Sequence, residues 1–205
     1  MSAGPVWYAA YGSNLSLARL TCYLAGGRPP GAARTYPGAR DPSPPSDVRP
    51  VELAGTVHFA WDSPAWGGGI AFYDPRRPGP SAGRAYRLTR GQLADVLAQE
   101  MHRDPGADLD PTDLTGLLAT GTATLGPGRY ETLHVVGDLD GEPVVTFTAP
   151  EGAVPPRAPT APYLVVMGRG LLECGWTTQR AAAYLAARPG AGPAWTPDAV
   201  AALLA

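Results

Sequence analysis

The stretch YAAYGSNL, Tyr8 to Leu15, decides how this chain is read. Apolar, β-prone residues in PVWYAAY (5–11) break off at Tyr-Gly-Ser-Asn, and a helical pattern, LSLARLTCYLAGG (15–27), follows. A strand that passes into a helix through one Gly and two small hydrogen-bonding side chains leaves free backbone N–H groups at the corner. Such groups, aided by the helix dipole, make an anion or oxyanion pocket. Gly12 lets the backbone approach a ligand closely and adopt φ > 0. The plainer reading of the same residues is a turn glycine, with Ser13 or Asn14 as the N-cap and Gly26-Gly27 as the helix stop.

Outward from the corner, residues 28–50 are loaded with Pro, Gly and Arg and read as a loop or mobile flap, because Pro removes donors and fixes φ. In VELAGTVHFAWD (51–62), Val57, Phe59 and Trp61 alternate with smaller or polar residues, the two-residue period of a strand. SPAWGGG (63–69) reads as a turn and IAFYD (70–74) as the returning strand. GRAYRLT (83–89) is a further strand and RGQLADVLAQEM (90–101) a helix. ETLHVVGDLDGEPVVTFTA (131–149) is a hairpin closed at Asp140-Gly141, a pair suited to two successive positive φ angles. EGAVPPRAPTAP (151–162) is loop, and the remainder from Tyr163 is helical with breaks at Gly175 and RPGAGP. Strands in the middle and helices at the ends predict an α+β domain spanning 1–205, with a mostly antiparallel, barrel-like sheet.

At 205 residues the chain can bury a full core without metal or disulfide staples. Its net charge is −2 and all its cations are Arg, so it carries no electrostatic footprint for nucleic acid or an anionic membrane. Two cysteines, Cys22 and Cys174, are too few for a disulfide framework or a metal cluster. Cys22 falls mid-helix, where cysteine is usually a small core residue. His58, His102 and His134 show no motif pairing either thiol with an imidazole. The start of the chain lacks a basic region ahead of an apolar run, and no apolar run nears the roughly 18 residues of a membrane span. A cytoplasmic protein with reduced thiols is expected.

Glu100 stands out within the helical segment. With Leu93 at zero and steps of about 100°, Val96, Leu97 and Met101 lie within roughly 80° of it and Glu100 near −20°. Glu100 thus falls inside the apolar stripe, with Asp95 and Gln99 on the opposite side. A carboxylate removed from water binds a proton more readily, which suits a group that must take and return one near neutral pH. Pairing with a buried Arg, or a helix that ends early, would explain the same placement without catalysis.

Four segments, in order, resemble the γ-glutamylcyclotransferase family: YAAYGSNL, WGGGIAF (66–72), GRAYRLTRGQLADVLAQE (83–100) and APYLVVMGRGLLECG (161–175). The resemblance implies a small β-barrel flanked by helices, and cyclisation of a γ-glutamyl amide to 5-oxoproline with release of an amine or amino acid. It implies Glu100 as the general acid/base, Tyr8, Tyr11, Gly12, Ser13, Asn14 and Leu15 as the substrate-binding loop, and Tyr163 as a hydroxyl lent by the C-terminal helix. A small-molecule γ-glutamyl substrate is the partner implied, with no metal or organic cofactor. Taken as a plain residue pattern, Trp66 with Gly67 to Gly69 reads as a tight hairpin, and Tyr163 as a core aromatic. The Pro-rich 28–50 segment and the insert HRDPGADLDPTDLTGLLATG (102–121) depart from the family pattern, and either could line the mouth of the site. Two rivals remain: a non-catalytic small-molecule binder on the same fold, and an amidase that uses water. The chain is expected to be a monomer or a homodimer.

Overall fold

Strand β1 (Val6–Ala10) is buried at every residue, as expected of a central strand covered on both faces. The computed structural model describes residues 4–107, 111–150 and 155–205, with 111–114 described by their backbone. Residues 151–154 of the expected loop 151–162 and part of the 102–121 insert therefore lie outside the described residues. After β1 come a single 3-10 turn (Ser13–Leu15), α1 (Leu17–Leu24), β2 (Asp47–Ala54), β3 (Thr56–Ser63), β4 (Gly68–Asp74) and β5 (Pro80–Leu88). Then follow α2 (Arg90–Glu100), α3 (Pro111–Thr120), β6 (Thr122–Thr124), β7 (Thr132–Leu139), β8 (Glu142–Thr148), α4 (Ala161–Glu173), α5 (Thr178–Ala186) and α6 (Pro197–Leu204).

The α+β class stands. The main sheet has six strands in the order β2-β5-β1-β8-β7-β6, antiparallel except for β1 against β8. β3 and β4 pair only with each other. Among the described residues, strand pairing does not close a barrel as expected. Where β4 meets β8, a side chain replaces the ladder: Thr148 Oγ1 accepts from Tyr73 N–H and donates to Tyr73 O, at 3.0 and 2.9 Å. One continuous apolar cluster joins both sheets to α2, α4, α5 and α6.

Local departures from the expected strands have identifiable causes. VELAGTVHFAWD is two strands, split at Gly55, where φ is 143° and a Cβ would lie 2.7 Å from Asp74 O. β2 begins inside the Pro-rich stretch, and as an edge strand it accommodates Pro50 opposite Arg84. Val57 and Phe59 point inward, but the register shifts after Ala60 and Trp61 takes φ 59°, leaving its ring partly exposed. The β7–β8 hairpin turns at Asp140-Gly141 with φ 56° and 78°, both positive as its two-residue turn requires.

The polar face predicted for α2 does not meet solvent. Gln92, Asp95 and Gln99 are as buried as Leu93, Val96 and Leu97. The segment ahead of β2 lies across them: Arg40 N–H and Nε donate to Asp95, Gly38 N–H donates to Gln99, and Gln92 donates to Asp41 O and Ser43 O. Residues too rich in Pro to pair as strand satisfy their backbone on the side chains of a helix. Gly27 and Tyr36 exchange a pair of backbone hydrogen bonds, and Ala39 N–H reaches Leu24 O, so the expected flap is tied down along its length.

Candidate functional site

Tyr-Gly-Ser-Asn leaves β1 and closes its own 3-10 turn, with Leu15 N–H on Gly12 O at 3.0 Å. The α-helix starts only at Leu17. Its N-terminus is occupied by Glu173, which accepts from Ser16 Oγ and Leu17 N–H at 3.3 and 3.1 Å. The expected contribution of a helix dipole to the corner is therefore corrected: that end of α1 faces α4. Ser16, not Ser13 or Asn14, holds the N-cap position. Leu15, expected in the binding loop, is fully buried in the core and does not line the cavity at the corner, to which Tyr8, Tyr11, Gly12, Ser13, Asn14, Glu100 and Tyr163 all contribute.

Asn14 ties the corner to α2. Its Nδ2 donates to Tyr8 Oη at 3.1 Å and to Glu100 Oε1 at 3.0 Å. A carboxylate only accepts, so the orientation of the amide is fixed, and its Oδ1 is left buried with no partner among the described residues. Glu100 is the last residue of α2 and half-buried; its carbonyl accepts from Arg129 Nη2 at 2.8 Å. Neither mundane account of this acid suffices: the helix does reach Glu100, and its carboxylate makes no ion pair with arginine among the described residues.

Tyr163 stands on the first turn of α4 and is buried. Its hydroxyl oxygen accepts from Ala71 N–H at 3.0 Å. The hydroxyl accepts this bond and still carries its own proton as a donor. Burial pushes the phenol above its ordinary value, only partly offset by the Ala71 bond, so it stays protonated. Tyr8 is raised likewise, by burial first and then by the charge of Glu100. Gly12 has φ −107°, so it supplies space rather than the positive φ anticipated: a Cβ there would lie 3.1 Å from Tyr163 Oη and 3.3 Å from Ala71 Cβ. Gly170 does the same for α4, since a Cβ on it would come within 2.3 Å of the Leu15 backbone. Close approach at these two glycines brings Tyr163 to the corner.

Trp66 does more than mark a hairpin. Its ring packs edge-on against Tyr163 at 5.2 Å and lines the cavity. Gly69 is held to glycine by the crossing chain, because its Cβ would lie 2.0 Å from Arg157 O. Tyr130 and Tyr11 also line the cavity, Tyr130 donating to Ala71 O at 2.9 Å and Tyr11 to Phe147 O at 2.8 Å. His102, Arg129 and Tyr36 of the Pro-rich segment also line it. Both departures from the family pattern thus contribute a residue to the cavity.

Arg19 is a residue that sequence reasoning missed. It is 3% exposed on α1, with its guanidinium 4.0 Å from the Tyr23 ring centre and 4.3 Å from that of Tyr36. Nη2 donates to Tyr23 Oη at 2.6 Å, whereas Nε and Nη1 are buried without a partner among the described residues. Burial opposes its charge, but Tyr23, Tyr36 and Glu100 hold the guanidinium above its ordinary value. The one available signal was an Arg four residues before a Tyr on a single helix face. Cys22, expected in the core, is only partly buried, and burial raises its thiol; Cys174 is also free. Neither borders the cavity.

Comparison with known proteins agrees with this geometry at the level of fold. No family model matches the chain. Over 198 residues it is 30% identical to Histone deacetylase 5 of Arabidopsis thaliana, a match covering 88% of this chain but 30% of that protein. A solved γ-glutamyl cyclotransferase superposes with a TM-score of 0.53 at 15% identity, over 90% of this chain and 89% of that one. A solved, uncharacterised protein from Homo sapiens superposes with a TM-score of 0.54 at 18% identity, over 91% and 90% of the two chains. The cavity is thus set in a known framework: this chain has the γ-glutamyl cyclotransferase fold.

Proposed function

We propose that the protein is an enzyme that cyclises γ-glutamyl amides to 5-oxoproline, releasing the amine or amino acid. The observation that carries this reading is the 3.0 Å hydrogen bond from Asn14 to Glu100, which sets a proton acceptor beside the glycine corner in one cavity. The nucleophile is the substrate's own α-amine, already tethered to the γ-carbonyl, so the site has mainly to hold the reactive conformer and move protons. The amine nitrogen attacks the γ-carbon and closes the five-membered ring. Glu100 takes a proton from the attacking nitrogen and delivers one to the departing nitrogen as the amide C–N bond breaks. The tetrahedral oxyanion receives the Tyr163 hydroxyl proton as a hydrogen bond, from a donor held in place by the Ala71 N–H.

Incubation with a panel of γ-glutamyl amides, with 5-oxoproline quantified, tests the reading. Wild-type protein is expected to form 5-oxoproline from at least one of them. Glu100→Gln should lower turnover by about 10²-fold or more with the fold retained. Free glutamate in place of 5-oxoproline would mean hydrolysis by water; no product from any amide would leave a binder. Full activity in Glu100→Gln would remove Glu100 from the mechanism.

A further inference from the structure

Among the described residues three that are not glycine take positive φ: Trp61 at 59°, His102 at 60° and Asp140 at 56°. A side chain strains the backbone there, and the strain persists only where the surroundings hold it. Asp140 belongs to its two-residue turn. The other two lie far apart in the chain, yet both set their side chains on one guanidinium, that of Arg129. Its centre is 4.6 Å from the Trp61 ring centre, and its Nη2 is 3.0 Å from His102 Nε2. The end of α2 gives the reason. Two bonds close it, His102 N–H to Gln99 O at 3.0 Å and Arg103 N–H to Ala98 O at 2.8 Å, around a left-handed residue that is usually glycine and here is His102. Neither bond reaches the Glu100 carbonyl, to which Arg129 Nη2 donates at 2.8 Å. The two protons of that one nitrogen serve Glu100 O and His102 Nε2.

Arg129 is itself held. The connection from β6 to β7, residues 125–131, folds over the carboxylate of Glu131, which is buried. Gly128 N–H donates to that carboxylate at 2.7 Å, and Arg103, the residue after His102, pairs with it. A Cβ at Gly126 or Gly128 would lie within 2.5 Å of it, so both positions must stay bare. Resting on the cyclotransferase reading, we propose that Arg129 is a positioning residue for Glu100: the 125–131 connection braces the last turn of α2 and, through Arg129, keeps the Glu100 carboxylate on Asn14. Glu100 is then fixed at its backbone by Arg129 and at its side chain by Asn14. The strain at Trp61 and His102 is the cost of aiming an indole face and an imidazole acceptor at that guanidinium.

Two readouts on the full chain test the brace: amide hydrogen exchange along α2, and kcat and KM on a γ-glutamyl amide that wild type turns over. Arg129→Met should speed exchange at His102 and Arg103 by about 10-fold and leave Val96 and Leu97 unchanged, the local loss of a charged donor. It should lower kcat by about 10-fold or more with KM within about twofold, because the base is displaced while the groups that bind substrate stay. Arg129→Lys, which keeps a cation and its donors without the planar fork, should recover part of both losses. Circular dichroism reports folding; should Arg129→Met not fold, Trp61→Ala, which removes a partly exposed ring from the guanidinium, carries the same comparison with smaller losses in the same direction. Unchanged exchange at the end of α2, an even rise along the whole helix, an unchanged kcat or a change in KM alone would overturn the proposal. If wild type turns over no γ-glutamyl amide, the reaction assignment fails, and the exchange pattern alone decides whether Arg129 braces the turn that carries Glu100.

Discussion

Gly12, Tyr163 and Ala71 form a single contact built from three distant parts of the chain. The Tyr163 hydroxyl fits between the corner and β4 only because residue 12 has no Cβ. Gly12→Ala should displace that hydroxyl by a few tenths of an ångström and lower kcat more than it raises KM, as expected when a transition-state donor moves. Removing the hydroxyl leaves Ala71 N–H buried without its acceptor. Tyr163→Phe should therefore cost about 1–3 kcal/mol in urea unfolding as well as activity. In Tyr163→Phe the alanine at position 12 no longer meets an oxygen, so the two stability losses should be less than additive in a double-mutant cycle. Additive losses would mean that the two residues do not share this contact.

At the scale of elements, α2 shows how a polar helix face is put to use. Gln92, Asp95 and Gln99 serve as the hydrogen-bonding surface for residues 38–43, which have no strand partner of their own. Asp95→Ala takes the carboxylate from Arg40 N–H and Nε together. About 1–3 kcal/mol of stability should be lost, with faster limited proteolysis in the 36–46 segment. If that segment stays as resistant to protease as in wild type, the tie through Asp95 is not what holds it. A helical wheel cannot anticipate this arrangement. It assigns a face to solvent or core by polarity, whereas here the polar face is covered by a segment whose own need is polar. The wheel put Glu100 inside and Asp95 and Gln99 outside, yet those two are the more buried, and the surroundings of Glu100 come from α1 and the corner, not from α2.

Over the whole molecule, the cavity lies where the end of β1, the last turn of α2, the middle of β4 and the first turn of α4 converge. Partial burial, and then the charges of Arg129 and Arg34, push the His102 imidazole down to about 4. Its Nε2 accepts from Arg129 Nη2 at 3.0 Å, a role open only to the neutral ring. In the unfolded chain the imidazole titrates near 6.5, so between about 6.5 and 4 the unfolded state binds more protons. Stability from this group is thus complete above that window and is lost as pH falls through it. His102→Gln should flatten the dependence of urea midpoint on pH in that interval; an unchanged slope would assign it to other groups.

The sequence by itself determined what depends on near neighbours: the strand ending at Tyr-Gly-Ser-Asn, the Asp140-Gly141 turn, the extent of α2 and the helical C-terminal region. Period and turn chemistry act over a few residues and can be read directly. It also supplied the four motifs whose resemblance pointed to the fold. Only the tertiary structure decided what those motifs do together, because the contacts that make the site join residues far apart in the chain: Asn14 with Glu100, and Ala71 with Tyr163. It alone showed that α1 turns its N-terminus to Glu173, that Leu15 belongs to the core, and that the Pro-rich segment is tied to α2. It alone revealed Arg19, whose meaning lies in what its guanidinium lacks, and an unmet hydrogen bond becomes visible only once the chain has folded around it.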